Sequence, residues 1–249
     1  MLSGSDGRAS PALRFGLAGG EYDAGRPSYP PAAVAWAVGA GRPRVVDVGA
    51  GTGKLTRALL ESGAEVVAVE PDPTMRSRCT ESLPGVPVRA GTAESLPLPD
   101  RSVDVVAVGH AYHWFDRTAA LREFARVLRP AGRLVLMWNL RTELHGWEAE
   151  FTRLIAGQDS VRRNPLSGMG EIGPPFSPFE EKDVPHTQQL TPDQLVALAA
   201  SRSHVIGLPP AERADVLRGV RAVARSAARD GTVTLHYVTR CWRSCVAPP

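Results

Sequence analysis

Lysine is almost missing from this chain: the cationic residues are arginines except at Lys54 and Lys182. The formal excess is only +3 despite an isoelectric point near 9.0. A nucleic-acid binder gathers its charge into a patch or stripe, and here the arginines are scattered, so no nucleic-acid partner is expected. Cysteine is scarce as well. Cys79, Cys241 and Cys245 form neither a disulfide framework nor a paired CxxC metal site, and free thiols in a reducing compartment are expected. His145, His204 and His236 have no metal-ligand spacing, so no metal is expected. No run of eighteen apolar residues occurs, which argues against a membrane span. The opening Met1–Asp6 lacks the basic and apolar regions of a secretory signal, and the cytoplasm is the default expectation.

What is present is an ordinary globular composition, 43% hydrophobic over 249 residues. Residues 1–20 are rich in glycine and serine and read as a flexible terminus, and 21–249 as one domain. From residue 40 to about 140, strand and helix patterns alternate. β-branched runs at 44–48, 65–70, 86–90, 103–108 and 133–138 are separated by helical spacing such as Leu55, Leu59, Leu60 and Leu121, Phe124, Leu128. Buried strands joined by helices imply a doubly wound, Rossmann-like α/β fold whose ligands sit beyond the carboxyl ends of the strands. Residues 141–249 read as a C-terminal helical and loop elaboration. Within it 158–185 is aperiodic and reads as a lid, with Phe176 and Phe179 facing an acceptor. Thr191–Gln194 starts a helix with a capping box, a second helix covers about 209–229, and 232–239 is the last strand.

The chemistry is concentrated in Gly49-Ala50-Gly51-Thr52-Gly53. Glycines between a strand and a helix let backbone N–H groups approach a ligand closely. A triphosphate-binding loop is excluded, because Val48 and Leu55 stand where glycine and a hydroxyl residue are required. Glu70, at the end of the next strand, suits a ribose diol in either a dinucleotide or S-adenosylmethionine (SAM) site. The GxGxG spacing lacks the third glycine of a pyrophosphate loop, and Asp47 before it suits a ligand bearing an ammonium group.

Residues 45–53 resemble motif I of the class I SAM-dependent methyltransferases. Val67–Asp72 looks like that family's acidic second-strand end, Gly91–Asp100 its adenine-pocket segment, and Phe124–Gly132 the stretch before its fifth strand. The resemblance covers about Tyr22 to Asn139 and implies a mostly parallel seven-stranded sheet. It further implies a cofactor site of Tyr22, Arg26, Asp47, Gly49, Ala50, Gly51, Glu70, Pro71, Thr92, Ala93, Glu94 and His110. In that site Gly49–Gly51 faces the methionine portion, Glu70 accepts the ribose hydroxyls, and Arg26 meets the cofactor carboxylate. Two departures stand out: Thr92 replaces a frequent Asp, and Ala131 replaces a usual turn glycine.

The loop after the fourth strand, His110-Ala111-Tyr112-His113-Trp114-Phe115, brings aromatics and histidines to the crevice. Aromatic faces tolerate a sulfonium cation, and a neutral histidine can take a proton near pH 7. Tyr112, His113, Trp114 and Arg141 are therefore the acceptor-side candidates, with His113 as base or orienting group. Phe115 reads as core. The expected activity is SAM-dependent methyl transfer to a carboxylate or hydroxyl oxygen of a small molecule. Alternatives are a rearrangement or cyclisation on the same fold, and SAM binding without turnover. Glu70→Ala is expected to cost cofactor affinity with little stability.

Overall fold

The computed structural model describes residues 26–142, 146–156 and 172–246. The expected flexible terminus, Tyr22 and residues 158–171 of the expected lid lie outside them. The first helix, α1 (Pro31–Val38), opens on proline at a position where the missing N–H costs nothing. There follow β1 (Arg44–Val48), α2 (Lys54–Glu61), β2 (Glu65–Val69), α3 (Pro73–Ser82), β3 (Val88–Arg89) and β4 (Val103–Gly109). A single 3₁₀ turn (Tyr112–Trp114) leads into α4 (Arg117–Val127) and β5 (Leu128–Arg141). The C-terminal part holds α5 (Gly146–Ile155), β6 (Glu180–Leu190), α6 (Pro192–Ala200), α7 (Ser203–Ile206), α8 (Pro210–Ala227) and β7 (Val233–Cys245).

The strands form one seven-stranded sheet in the order β3-β2-β1-β4-β5-β7-β6. β1, β2, β3, β4 and β5 pair in parallel, and β7 runs antiparallel to both of its neighbours. Strand order reverses between β1 and β4, and the crevice for a ligand opens there. One face of the sheet packs on α1 and α2 through Val34, Leu55 and Leu59, and the other on α4 through Ala120, Phe124 and Val127. Burial on both faces explains the unbroken valine runs of β1 and β4. Local signals behave as their chemistry requires. Asp72 caps α3 by accepting from Thr74 and Met75 N–H groups, Thr191 and Gln194 form the capping box of α6, and Gly63 follows α2 at φ 89°. Ala131 adopts φ 61°, the left-handed conformation that explains glycine as the usual residue there.

The C-terminal part departs from the expected pattern. The aperiodic stretch ends at Phe179, because residues 180–185 already belong to the eleven-residue strand β6. Its sequence is charged and contains Pro185, which is tolerated because β6 is the outer strand of the sheet. Phe176 is buried in the same core cluster as Trp138 and Trp242, and Phe179 packs against that cluster, so neither is a lid residue. The last strand is longer than expected and contains Cys241 and Cys245. Helices α5, α6 and α8 bury Phe151, Leu195, Leu198 and Val220 with Val233 and Leu235 in a separate core. That small core sits against the start of β7, at the carboxyl edge of β5.

Candidate functional site

The glycine loop is built so that its backbone can come close to other atoms. Gly49 and Ala50 donate to the Val69 carbonyl at 2.9 and 3.2 Å, which fixes the loop to β2. Gly49, Gly51 and Gly53 have φ of 70°, 59° and 90°. A Cβ on Gly49 would lie 2.7 Å from Ala111 Cβ, so the loops after β1 and β4 touch at this point. A Cβ on Gly51 would meet no atom within 4 Å, so the crevice is open above it.

Two buried carboxylates stand beneath the loop. Asp47 is 1% exposed; its Oδ2 accepts from the Thr56 hydroxyl at 2.6 Å, and its Oδ1 is buried without a hydrogen-bond partner. Burial pushes Asp47 up to about 7, with the Thr56 hydrogen bond opposing and the nearby Glu70 adding to the rise. Glu70 accepts from the Gly51 N–H at 2.8 Å and from the Asp72 N–H at 2.9 Å. Burial raises its pKa too, against those two hydrogen bonds. A carboxylate has about four acceptor positions, so both oxygens keep capacity for a diol. The N–H contacts correct the expectation about Glu70→Ala: truncation would orphan two backbone donors and cost stability as well as affinity.

The other residues expected to meet the cofactor lie in the loops after β2 and β3 and in the segment before α1. Pro71 is exposed at the end of β2, and its carbonyl accepts from Arg76 at 3.0 Å. Thr92 and Ser95 form a tight antiparallel bridge that buries Ala93 to 2% exposure. Glu94 accepts from the Asp116 N–H at 2.9 Å, tying this segment to the start of α4. Arg26 donates to the Ser201 carbonyl at 3.5 Å, linking the segment before α1 to the end of α6.

The loop after β4 divides its residues between core and crevice. His110 adopts φ 56°, donates its N–H to the Met137 carbonyl at 3.1 Å, and its Nε2 accepts from the Asn139 N–H at 2.9 Å. Its proton therefore sits on Nδ1, and burial with Arg26 and Arg202 nearby pushes its pKa to about 3. With its one lone pair occupied, His110 cannot serve as a base. Tyr112 is 4% exposed, inside the core cluster, with Arg117 5.7 Å from its ring centroid. Phe115 packs edge-on against Tyr112 and Phe124, as expected of a core residue. Trp114 is 47% exposed, and the ring of His113, also exposed, lies 4.5 Å from it. Desolvation and then Arg117 hold the His113 imidazole below its ordinary value, so it is neutral at physiological pH.

Arg141 ends β5 largely buried, its guanidinium 5.1 Å from the Phe151 ring centroid, so it is no surface residue. Sequence reasoning passed over its surroundings. Arg202, Tyr237 and His186 come from the C-terminal part, and nothing in the linear sequence marks them as site residues. Glu148 is also buried, but it is engaged: it lies 2.8 Å from the His236 ring and accepts from the His236 N–H at 3.3 Å. Among the described residues no His, Cys, Asp or Glu group could hold a metal, and no helix is long and apolar enough to cross a membrane.

Comparison with other proteins agrees with this geometry. A family model described as a methyltransferase domain matches residues 46–136. The uncharacterized methyltransferase Rv3342 of Mycobacterium tuberculosis is 44% identical over 243 residues, covering 96% of this chain and 98% of that protein. A methyltransferase-like protein of Schizosaccharomyces pombe, C25B8.10, is 30% identical over 217 residues, covering 84% and 85%. Among solved structures, a putative type II methyltransferase from Anaeromyxobacter dehalogenans superposes with a TM-score of 0.65 at 23% identity, covering 90% of this chain and 99% of that one.

Proposed function

Since this chain belongs to the class I SAM-dependent methyltransferases, we propose that it methylates an oxygen of a small molecule, a carboxylate or a hydroxyl. The residues present fit the cofactor. Asp47 keeps a buried acceptor without a partner, suited to an ammonium group; Glu70 retains acceptor positions for a diol; and Gly51 leaves the crevice open. Gly49, Ala50 and Gly51 with Asp47 would hold the methionine portion and Glu70 with Pro71 the ribose. Thr92, Ala93 and Glu94 would hold the adenine, and Arg26, Tyr22 and His110 the remaining edge. When bound, SAM supplies a methyl group already activated on a sulfonium centre.

The observation that carries the choice of oxygen is the charge of the acceptor side. Arg26, Arg141 and Arg202 face it, His110 and His113 are neutral, and Glu148 is occupied by His236. An amine acceptor would arrive as a cation and would need a carboxylate to receive it; an acidic acceptor is drawn in. Alignment supplies much of the rate in an in-line displacement, about 7–11 kcal/mol from positioning. An ionised carboxylate needs no base. For a hydroxyl acceptor, His113 is the group with an accessible lone pair near the crevice. Trp114, exposed beside it, offers an aromatic face to the acceptor side. No nucleic acid or membrane partner enters this reading.

Incubation with methyl-labelled SAM and a panel of small acids, phenols and amines tests it. Label in a product that releases methanol on mild base is expected for a carboxylate, and base-stable label in a phenol for a hydroxyl. Label confined to amines, or product formed without label, would refute oxygen methylation.

A further inference from the structure

Three residues stand side by side across the last three strands, level with the carboxyl end of β5 and the amino-terminal part of β7. Arg141 in β5 pairs with Tyr237 in β7, which pairs with His186 in β6. The His186 and Tyr237 rings are stacked, 5.4 Å apart and 19° from parallel. Each of the three keeps one buried polar atom with no hydrogen-bond partner: Arg141 Nη1, the Tyr237 hydroxyl and His186 Nε2. A buried polar atom left without a partner is destabilising, and three in one row are unusual for a structural contact. All three can donate a hydrogen bond. Glu148 bears on Arg141 and Tyr237 but is bonded to His236, and among the described residues no carboxylate lies in ion-pair range of Arg141. Arg26 and Arg202 add positive potential, since both bear on the Tyr237 hydroxyl and on His110.

We propose that Arg141, Tyr237 and His186 form an anchoring site for a carboxylate of the methyl acceptor, separate from the oxygen that takes the methyl group. The inference rests on the acceptor being an acid, as argued above. A planar guanidinium lying over the Phe151 ring matches a carboxylate in a forked geometry. A carboxylate so held has its lone pairs occupied and its charge neutralised, so it makes a poor nucleophile. The reacting oxygen is therefore a second group on the same molecule. Asn139 lies two residues before Arg141 on β5, and its N–H meets His110 in the crevice. Two strand residues span about 7 Å, so the anchor lies about that far along β5 from the residue that meets His110.

The test uses the full chain saturated with S-adenosylhomocysteine, titrated with succinate, citrate and inorganic phosphate by calorimetry. Binding of a carboxylate probe is expected, weakened at least tenfold by Arg141→Gln and partly restored by Arg141→Lys. S-adenosylhomocysteine affinity should stay within twofold of the wild type. Tyr237→Phe removes only the unpartnered hydroxyl and so keeps the fold. At least threefold weaker carboxylate binding at an unchanged Tm is expected, and unchanged binding overturns the assignment even if Arg141→Gln fails to fold. Absence of carboxylate binding to the wild type, or a preference for phosphate, also overturns it. A second arm supplies labelled SAM and a small-molecule extract divided on an anion exchanger. Transfer is expected from the retained fraction, and transfer from the flow-through alone refutes the anchor. Transfer from neither fraction strikes the methyl-transfer reading and leaves the titration to decide the anchor.

Discussion

The two halves of the sheet treat charge in opposite ways. Under the glycine loop the buried ionisable groups are acids, Asp47 and Glu70, tied to backbone N–H groups and a threonine hydroxyl. Across the crevice half-buried arginines, Arg26, Arg141 and Arg202, gather around a buried tyrosine, and the buried acid beside them, Glu148, is bonded to His236. On the proposed reading the first half would bind largely through backbone placed by positive-φ glycines, and the second through long side chains contributed by strands and helices distant in sequence. A cofactor shared by a whole family can be received by backbone, whereas an acceptor particular to one protein has to be read by side chains. The halves should therefore respond differently to mutation: changes to the loop glycines and Glu70 lose fold and affinity together, whereas changes to exposed residues of the acceptor half lose turnover alone.

The largest expected effect is at Gly49. Gly49→Val places a β-branched side chain at φ 70° and within 2.7 Å of Ala111, so loss of a cooperative thermal transition or a drop of at least about 3 kcal/mol is expected. A stable Gly49→Val protein would break the claim that backbone approach builds this half. Next is Glu70→Ala. It should weaken S-adenosylhomocysteine about a hundredfold and, by orphaning the Gly51 and Asp72 N–H groups, cost about 1–3 kcal/mol in denaturant unfolding. Wild-type affinity would remove the ribose assignment.

Asp47→Asn separates binding from stability within the same half. The folded-state pKa near 7 lies above the ordinary 3.8, so the protonated form is the one the fold prefers. That contribution is complete below about pH 4 and is lost as pH rises towards 7. The wild-type protein should thus lose stability relative to Asp47→Asn across pH 4–7, by up to about 1.4 kcal/mol per pH unit, with a flat difference above that range. The variant should be the more stable protein at pH 8 and yet bind S-adenosylhomocysteine about tenfold more weakly. A pH-independent difference would place the ionisation elsewhere. The smallest stability effect belongs to Trp114→Ala in the acceptor half. It is 47% exposed, so a change within about 0.5 kcal/mol is expected, alongside a clear fall in kcat at unchanged S-adenosylhomocysteine affinity. An equal loss of stability and turnover would merge the two halves.

Much of the cofactor half was legible in the residues themselves. β1, β2 and β4 announce themselves as valine runs, and Gly49–Gly53 and Glu70 lie where a strand must end in a ligand loop. These features are local, set within a few residues by sterics and periodicity. The acceptor half was legible only in fragments. Arg141 stood out, but Tyr112 turned inward, Phe176 joined the core, and β6 was hidden by its charges and Pro185 because an edge strand carries no strong hydrophobic signature.

By itself, then, the sequence determined the doubly wound core, a ligand site beyond the carboxyl ends of its strands and the carboxylates beside the glycine loop. Only the tertiary structure decided that His110 spends its lone pair on the Asn139 N–H and that Arg141, Tyr237 and His186 stand in one row. The first set depends on backbone geometry between neighbours in the chain. The second depends on strand register across β5, β7 and β6, whose partners are separated by about fifty to a hundred residues and carry no mark of one another in the linear order.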